Sequence, residues 1–170
     1  MRFPILIGLS MLLPVSSLAA ELTVSVEVPR LNVAEYHRPY VALWLEHADT
    51  GEITSLSVWY DLNLRNREGE KWLKDMRQWW RRDGRSLTFP VDSVSSATRP
   101  VGHHTLTFVP GESPLNALPD GDYRLLVEAA REVGGREVLT LPFTWPVSAA
   151  HTVEAQGEHE LGAVSLTVAP

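Results

Sequence analysis

The chain carries 21 acidic and 15 basic residues over 170 positions and contains no cysteine. The acidic balance argues against nucleic acid as a partner. Without cysteine there can be no disulfide, iron–sulfur cluster, thioether-linked haem or cysteine-borne lipid anchor.

The first element is a leader. MRFPILIGLSMLLPVSSLAA places one basic residue, Arg2, before an apolar run from Phe3 to Leu13 and ends in small residues. That pattern predicts a secretory signal peptide over residues 1–19, cleaved after Ala19 or Ala20. The apolar run is shorter than the roughly 20 residues a membrane span needs, and no later segment is a candidate. The expected mature protein is therefore exported from the cytoplasm and is not an integral membrane protein. Loss of Arg2 leaves 14 basic against 21 acidic residues, a formal charge of -7. Residues 20–170 form a single domain, large enough to bury a core without covalent staples.

Alternation of period two dominates the mature chain. LTVSVEV (Leu22 to Val28) alternates cleanly, and YVALWLEH (Tyr40 to His47) puts Val41, Leu43 and Leu45 on one face. ITSLSVWYD (Ile53 to Asp61) comes next across the turn ADTGE, so these two segments read as a hairpin. Further strands are predicted at His104 to Val109, Asp122 to Ala130, Arg136 to Trp145 and Gly162 to Ala169, separated by the turn signals PGESP, LPDGD and VGGRE. Short strands with turns at regular intervals predict a mainly β fold, an immunoglobulin-like antiparallel β-sandwich.

One segment breaks the alternation. GEKWLKDMRQWWRR (Gly69 to Arg82) spaces Trp72, Leu73, Met76, Trp79 and Trp80 as on one face of a helix. It predicts one inserted amphipathic helix, residues 69–82, whose aromatic stripe packs on the sandwich. A tryptophan at the edge of that stripe could instead form one wall of a site for a planar ligand.

The segment DSVSSATRP (Asp92 to Pro100) has almost no hydrophobic content. Pro90 precedes it and Pro100 follows Thr98 by two residues, which disfavours regular structure and predicts an extended, accessible loop. The side chains around Thr98 are small, so a bulky active site could close over the backbone and reach its hydroxyl.

DSVSSAT resembles the acceptor motif of the bacterial flavin transferase, which moves FMN from FAD onto a threonine of exported redox proteins. The motif is shared with sodium-pumping quinone reductase subunits and extracytoplasmic FMN-binding domains, and usually reads Asp-x-x-Ser/Thr-Gly-Ala-Thr. Here Ser96 stands where glycine is usual. The resemblance implies that Thr98 holds FMN as a phosphoester. It also implies that the transferase reads Asp92, Ser95 and Ala97. Arg99 beside the attachment point, and Arg81 and Arg82 before it, are candidates to neutralise the phosphate or an anionic reduced flavin.

WLKDMRQWWRR, VDSVSSATRPVG, LPDGDYRLLVEAAREVGGRE and LPFTWP together resemble a family of predicted periplasmic proteins of unknown function, over roughly Glu21 to Pro170. Members tend to be encoded beside PepSY-type transmembrane proteins, the flavin transferase and outer-membrane siderophore or iron receptors. The implied function is an electron-transfer flavoprotein rather than a substrate-specific enzyme. It would relay electrons between a PepSY-type membrane reductase and an extracytoplasmic acceptor such as ferric iron or a ferric siderophore. LPDGDYRLLVEAAREVGG also resembles the immunoglobulin-like domain of flagellar hook-capping proteins, which bears on fold alone.

Other chemistries find less support. Among six histidines, His37, His47, His103, His104, His151 and His159, only His103 and His104 are adjacent, and neighbours on a strand face opposite sides. No metal site is expected. A GxSxG elbow is absent, and no catalytic triad is suggested by spacing. The alternative function is a non-redox immunoglobulin-like periplasmic binding or accessory module of an iron-uptake system, in which DSVSSATRP is only a loop.

Overall fold

A computed structural model describes residues 20–170; the predicted signal peptide and its cleavage after Ala19 lie outside the described residues. The strands are β1 (Glu21–Val28), β2 (Tyr40–His47), β3 (Ile53–Tyr60), β4 (Ser95–Ala97), β5 (Gly102–Phe108), β6 (Gly121–Ala130), β7 (Arg136–Trp145), β8 (His151–Gln156) and β9 (Ala163–Ala169). They form a β-sandwich. One sheet runs β5, β1, β9, β8, and the other runs β4, β3, β2, β6, β7. Among the described residues no helix is long and apolar enough to cross a membrane.

Alternation builds the core directly. Leu22, Val24 and Val26 of β1 oppose Val168, Leu166 and Val164 of β9, and all six are buried. Val41, Leu43 and Leu45 of β2 face them across the sandwich with Leu125 and Val127 of β6. The β2–β3 hairpin forms as predicted, with a register shift between Leu43 and Trp44. All strand pairs are antiparallel except β3–β4, which is parallel.

The second face of β2 is buried as well. Tyr40, Ala42 and Trp44 pack with Leu73, Met76, Trp79, Phe89 and Val94 in a separate apolar cluster. The segment between β3 and β4 thus covers the outer face of the five-stranded sheet.

That cover is not the continuous helix the spacing predicts over residues 69–82. A kinked 3-10 stretch spans Arg65–Asp75, with Asn66 and Arg67 at φ 55° and 57°, and a break at Met76 precedes the α-helix α1 (Arg77–Arg82). Leu73 in the 3-10 stretch, Met76 at the break and Trp79 in α1 are all fully buried. One physical reason accounts for the difference. The carboxylate of Glu128 on β6 is fully buried and accepts the backbone N–H groups of Gln78 (3.1 Å) and Trp79 (2.7 Å). Those donors are free only in the first turn of a helix, so the helix must begin beside Glu128. Arg136 completes the pairing at 2.8 Å. The other end of α1 is tied down by Trp79 Nε1 donating to Ser55 Oγ (2.8 Å) and Ser55 donating to Asp83 (2.5 Å).

Two strands have no counterpart among the predicted elements. β8 is an edge strand whose residues are all exposed or half-buried, so it carries little hydrophobic alternation. β4 is only three residues long.

Two stability measurements test this account. Glu128→Ala leaves Arg136 and two buried N–H groups without their acceptor and is expected to cost about 3 kcal/mol or more in denaturant unfolding. Glu137 behaves differently: burial raises its pKa, but the N–H groups of residues 158–161 bind its carboxylate and bring the net value below 4.5. A depressed carboxylate contributes stability that is fully present above its unfolded pKa and lost as pH falls through the folded one. Glu137→Gln is therefore expected to destabilise by about 2 kcal/mol at neutral pH, and the gap from wild type should close as the pH is taken well below 4.5.

Candidate functional site

DSVSSATRP is partly ordered as β4 rather than being an irregular loop. Ser95, Ser96 and Ala97 lie in parallel register with Val58, Trp59 and Tyr60, and Thr98 N donates to Tyr60 O at 3.2 Å. The cause lies in the turn before it. Val94 N and Ser95 N both donate to Val91 O, and Ser95 Oγ accepts from Val91 N at 2.9 Å. This closes a tight turn with Ser93 at φ 63° and buries Val94 in the outer cluster. The Ser95 hydroxyl is thereby engaged by Val91, the residue just before the segment.

The remaining motif residues have distinct surroundings. Asp92 is exposed and makes no side-chain hydrogen bond or ion pair among the described residues, so its carboxylate is available to another molecule. Ala97 is exposed at the sheet edge. Ser96 keeps a negative φ, so no conformation reserved for glycine is needed there, although its buried hydroxyl has no hydrogen-bond partner. Arg99 turns away from Thr98: its guanidinium lies 4.4 Å from the centroid of the Trp59 ring, and burial lowers its pKa. Arg81 donates to Arg77 O, and Arg82 pairs with Glu46 at 3.0 Å, so neither is placed at Thr98.

Thr98 itself opens into a cleft of about 380 Å³. Its walls come from the segment before β2 (Tyr36, Arg38), the first residue of β2 (Tyr40), the turn after β3 (Asp61, Leu64), the 3-10 stretch (Trp72, Asp75) and the turn after β6 (Arg131, Glu132). Thr98 Oγ1 donates to Asp61 Oδ1 at 3.3 Å. Asp61 is held by a close approach, because a Cβ on Gly69 would lie 2.1 Å from the Asp61 carbonyl oxygen. Burial, with the charge of the Asp61 carboxylate behind it, pushes the Tyr40 phenol up to about 12, so it remains protonated at neutral pH.

Charge in the cleft is mixed. Arg131 is taken by Glu160 at 2.8 Å, and His37 lies between Glu35 (2.9 Å) and Glu132 (3.5 Å). Arg38 lines the same cleft without an ion pair among the described residues. Asp61, Tyr40 and Arg38 are each remote from the motif in sequence and carry no local signal of a role beside Thr98. Trp72, in contrast, sits at the edge of the predicted stripe and does form a wall. Of the histidines, His103 lies 4.0 Å from Glu27, and His104 Nε2 is 2.7 Å from Pro100 O. Among the described residues no group of three metal-ligating side chains converges.

The family model described as "Predicted periplasmic protein (DUF2271)" matches residues 21–163. No curated protein and no solved structure matches the chain.

The close approach at Gly69 can be tested. Gly69→Ala forces the Asp61 turn to move and is expected to lower stability by about 1–3 kcal/mol in thermal or denaturant unfolding, as overpacking of tight contacts does.

Proposed function

The chain belongs to the DUF2271 family of predicted periplasmic proteins, and from that premise we propose that Thr98 is the attachment point of FMN. A flavin transferase makes the phosphoester, and the protein relays electrons outside the cytoplasm. The observation that carries the reading is the Thr98 hydroxyl. It stands at the end of an edge strand, within DSVSSAT, bonded to a carboxylate and opening into a cleft with aromatic walls.

The residues present suit the group. Thr98 supplies the acceptor oxygen, while Asp92 and Ala97 offer an accessible carboxylate and a small side chain to the transferase. Asp61 orients the hydroxyl before modification. Ser96 occupies the usual glycine position with a negative φ, so no conformation reserved for glycine is required there. Arg38, a cleft residue without an ion pair among the described residues, is a candidate to face a phosphate or an anionic ring. FMN supplies acceptance of two electrons and their release one at a time, which matches a membrane reductase to a one-electron acceptor such as ferric iron or a ferric siderophore. Covalent attachment retains the cofactor where dissociation would dilute it. The implied partners are the transferase, a PepSY-type membrane reductase and an iron or siderophore uptake system.

Co-expression of the exported protein with an active flavin transferase is expected to give in-gel flavin fluorescence after denaturation and a mass gain of one FMN less water. Thr98→Ala removes the adduct, Ser93→Ala keeps it, and Asp92→Ala lowers its yield without changing the melting temperature. Persistent absence of the adduct sinks the flavoprotein reading and favours the non-redox module. Reduced adduct that neither a ferric chelate nor a membrane reductase can reoxidise or reduce removes the relay but leaves the attachment.

A further inference from the structure

We infer that the cleft beside Thr98 is the receptacle for an isoalloxazine ring, with Trp72 as its stacking face and the Tyr40 hydroxyl as a hydrogen-bond donor to a ring heteroatom. The inference rests on Thr98 being the FMN attachment point. It adds that the flavin ring is housed by this chain rather than left in solvent for a partner to bind.

Trp72 is the first observation. Leu73, Met76 and Trp79 from the same segment are fully buried, yet Trp72 remains 45% exposed and lines the cleft. Tyr36 and Leu64 are also exposed large apolar side chains of this cleft, at 38% and 47%. Three apolar walls open to water around one concavity leave apolar area that a planar aromatic ligand would cover. Offset stacking on an indole is the favoured geometry for such a ring.

Tyr40 is the second, independent observation. It lines the cleft and is only 8% exposed, and its buried Oη makes no hydrogen bond of good geometry, its polar neighbour being Asp61. A buried hydroxyl without a well-made hydrogen bond is costly, and its natural complement is an acceptor brought in by a ligand. Flavin ring carbonyls and nitrogens are acceptors of that kind.

Size and reach agree. A cleft of about 380 Å³ falls in the range of ligand pockets, and Thr98 is itself part of its wall, so the ribityl chain can lead the ring inward. Another hollow of similar volume, about 390 Å³, is lined by Ser25, His103, Glu154 and Gln156 with small neighbours, and it offers no indole or phenol to stack on.

The experiment uses the full exported chain carrying its adduct. An indole stacked on a flavin quenches its emission by lending an electron to the excited ring, which returns it on decay. Native wild-type adduct is therefore expected to emit several-fold less than the same adduct denatured. Trp72→Ala should raise the native emission several-fold at unchanged adduct mass, since this half-exposed side chain can be removed without opening the core. Tyr40→Phe should shift the visible circular dichroism of the flavin bands, again with attachment unaltered. Equal emission from native and denatured wild-type adduct, or native emission that Trp72→Ala leaves unchanged, overturns the receptacle while the attachment stands. Absence of any adduct overturns the attachment and the receptacle together.

Discussion

The outer layer of this protein depends on a carboxylate that water cannot reach. Glu128 sits on β6 with no exposed surface, and an ionised group so placed must be paired and hydrogen-bonded. Its partners are Arg136 and the first free N–H groups of α1. That demand sets where α1 begins and breaks the segment at Met76. Leu73, Met76 and Trp79 then turn inward, and Trp72 is left off the buried row. The exposed indole beside Thr98 is thus a downstream consequence of how one buried charge is satisfied.

The Thr98 site is assembled from parts far apart in sequence. β4 holds the hydroxyl by parallel pairing to β3, the turn after β3 returns Asp61 to it, and Gly69 pins that turn by leaving room for a carbonyl. Edge strands suit such a role, because one side is anchored by the sheet while the other remains open to a second molecule. Arg99 and Arg82 are engaged elsewhere, whereas Arg38, sixty residues from Thr98, shares its cleft. Adjacency in the chain predicts little about electrostatics around a residue at a strand end, where successive side chains face opposite ways.

Strands with one apolar face were legible because a sheet imposes period two and the sandwich core rewards it. β1, β2, β6, β7 and β9 fall where alternation places them. β8 escaped because an edge strand with no buried residue carries weak alternation, and β4 because a three-residue strand carries almost none. The helical segment is visible as an interruption of the alternation, but its 3-10 form and its break at Met76 are not. Its spacing fits both a 3.6 and a 3.0 repeat over so short a stretch, and the deciding group, Glu128, lies on another element.

Local periodicity and one contiguous motif were enough to specify the β-sandwich, the amphipathic cover and the candidate hydroxyl of Thr98. Folding in three dimensions was needed to establish that β4 is a strand, that α1 starts at Arg77, and that Asp61, Tyr40, Arg38 and Trp72 surround Thr98. One cause underlies all three. Hydrogen-bond satisfaction of buried groups and the convergence of distant segments are long-range conditions, and no local pattern of residues encodes them.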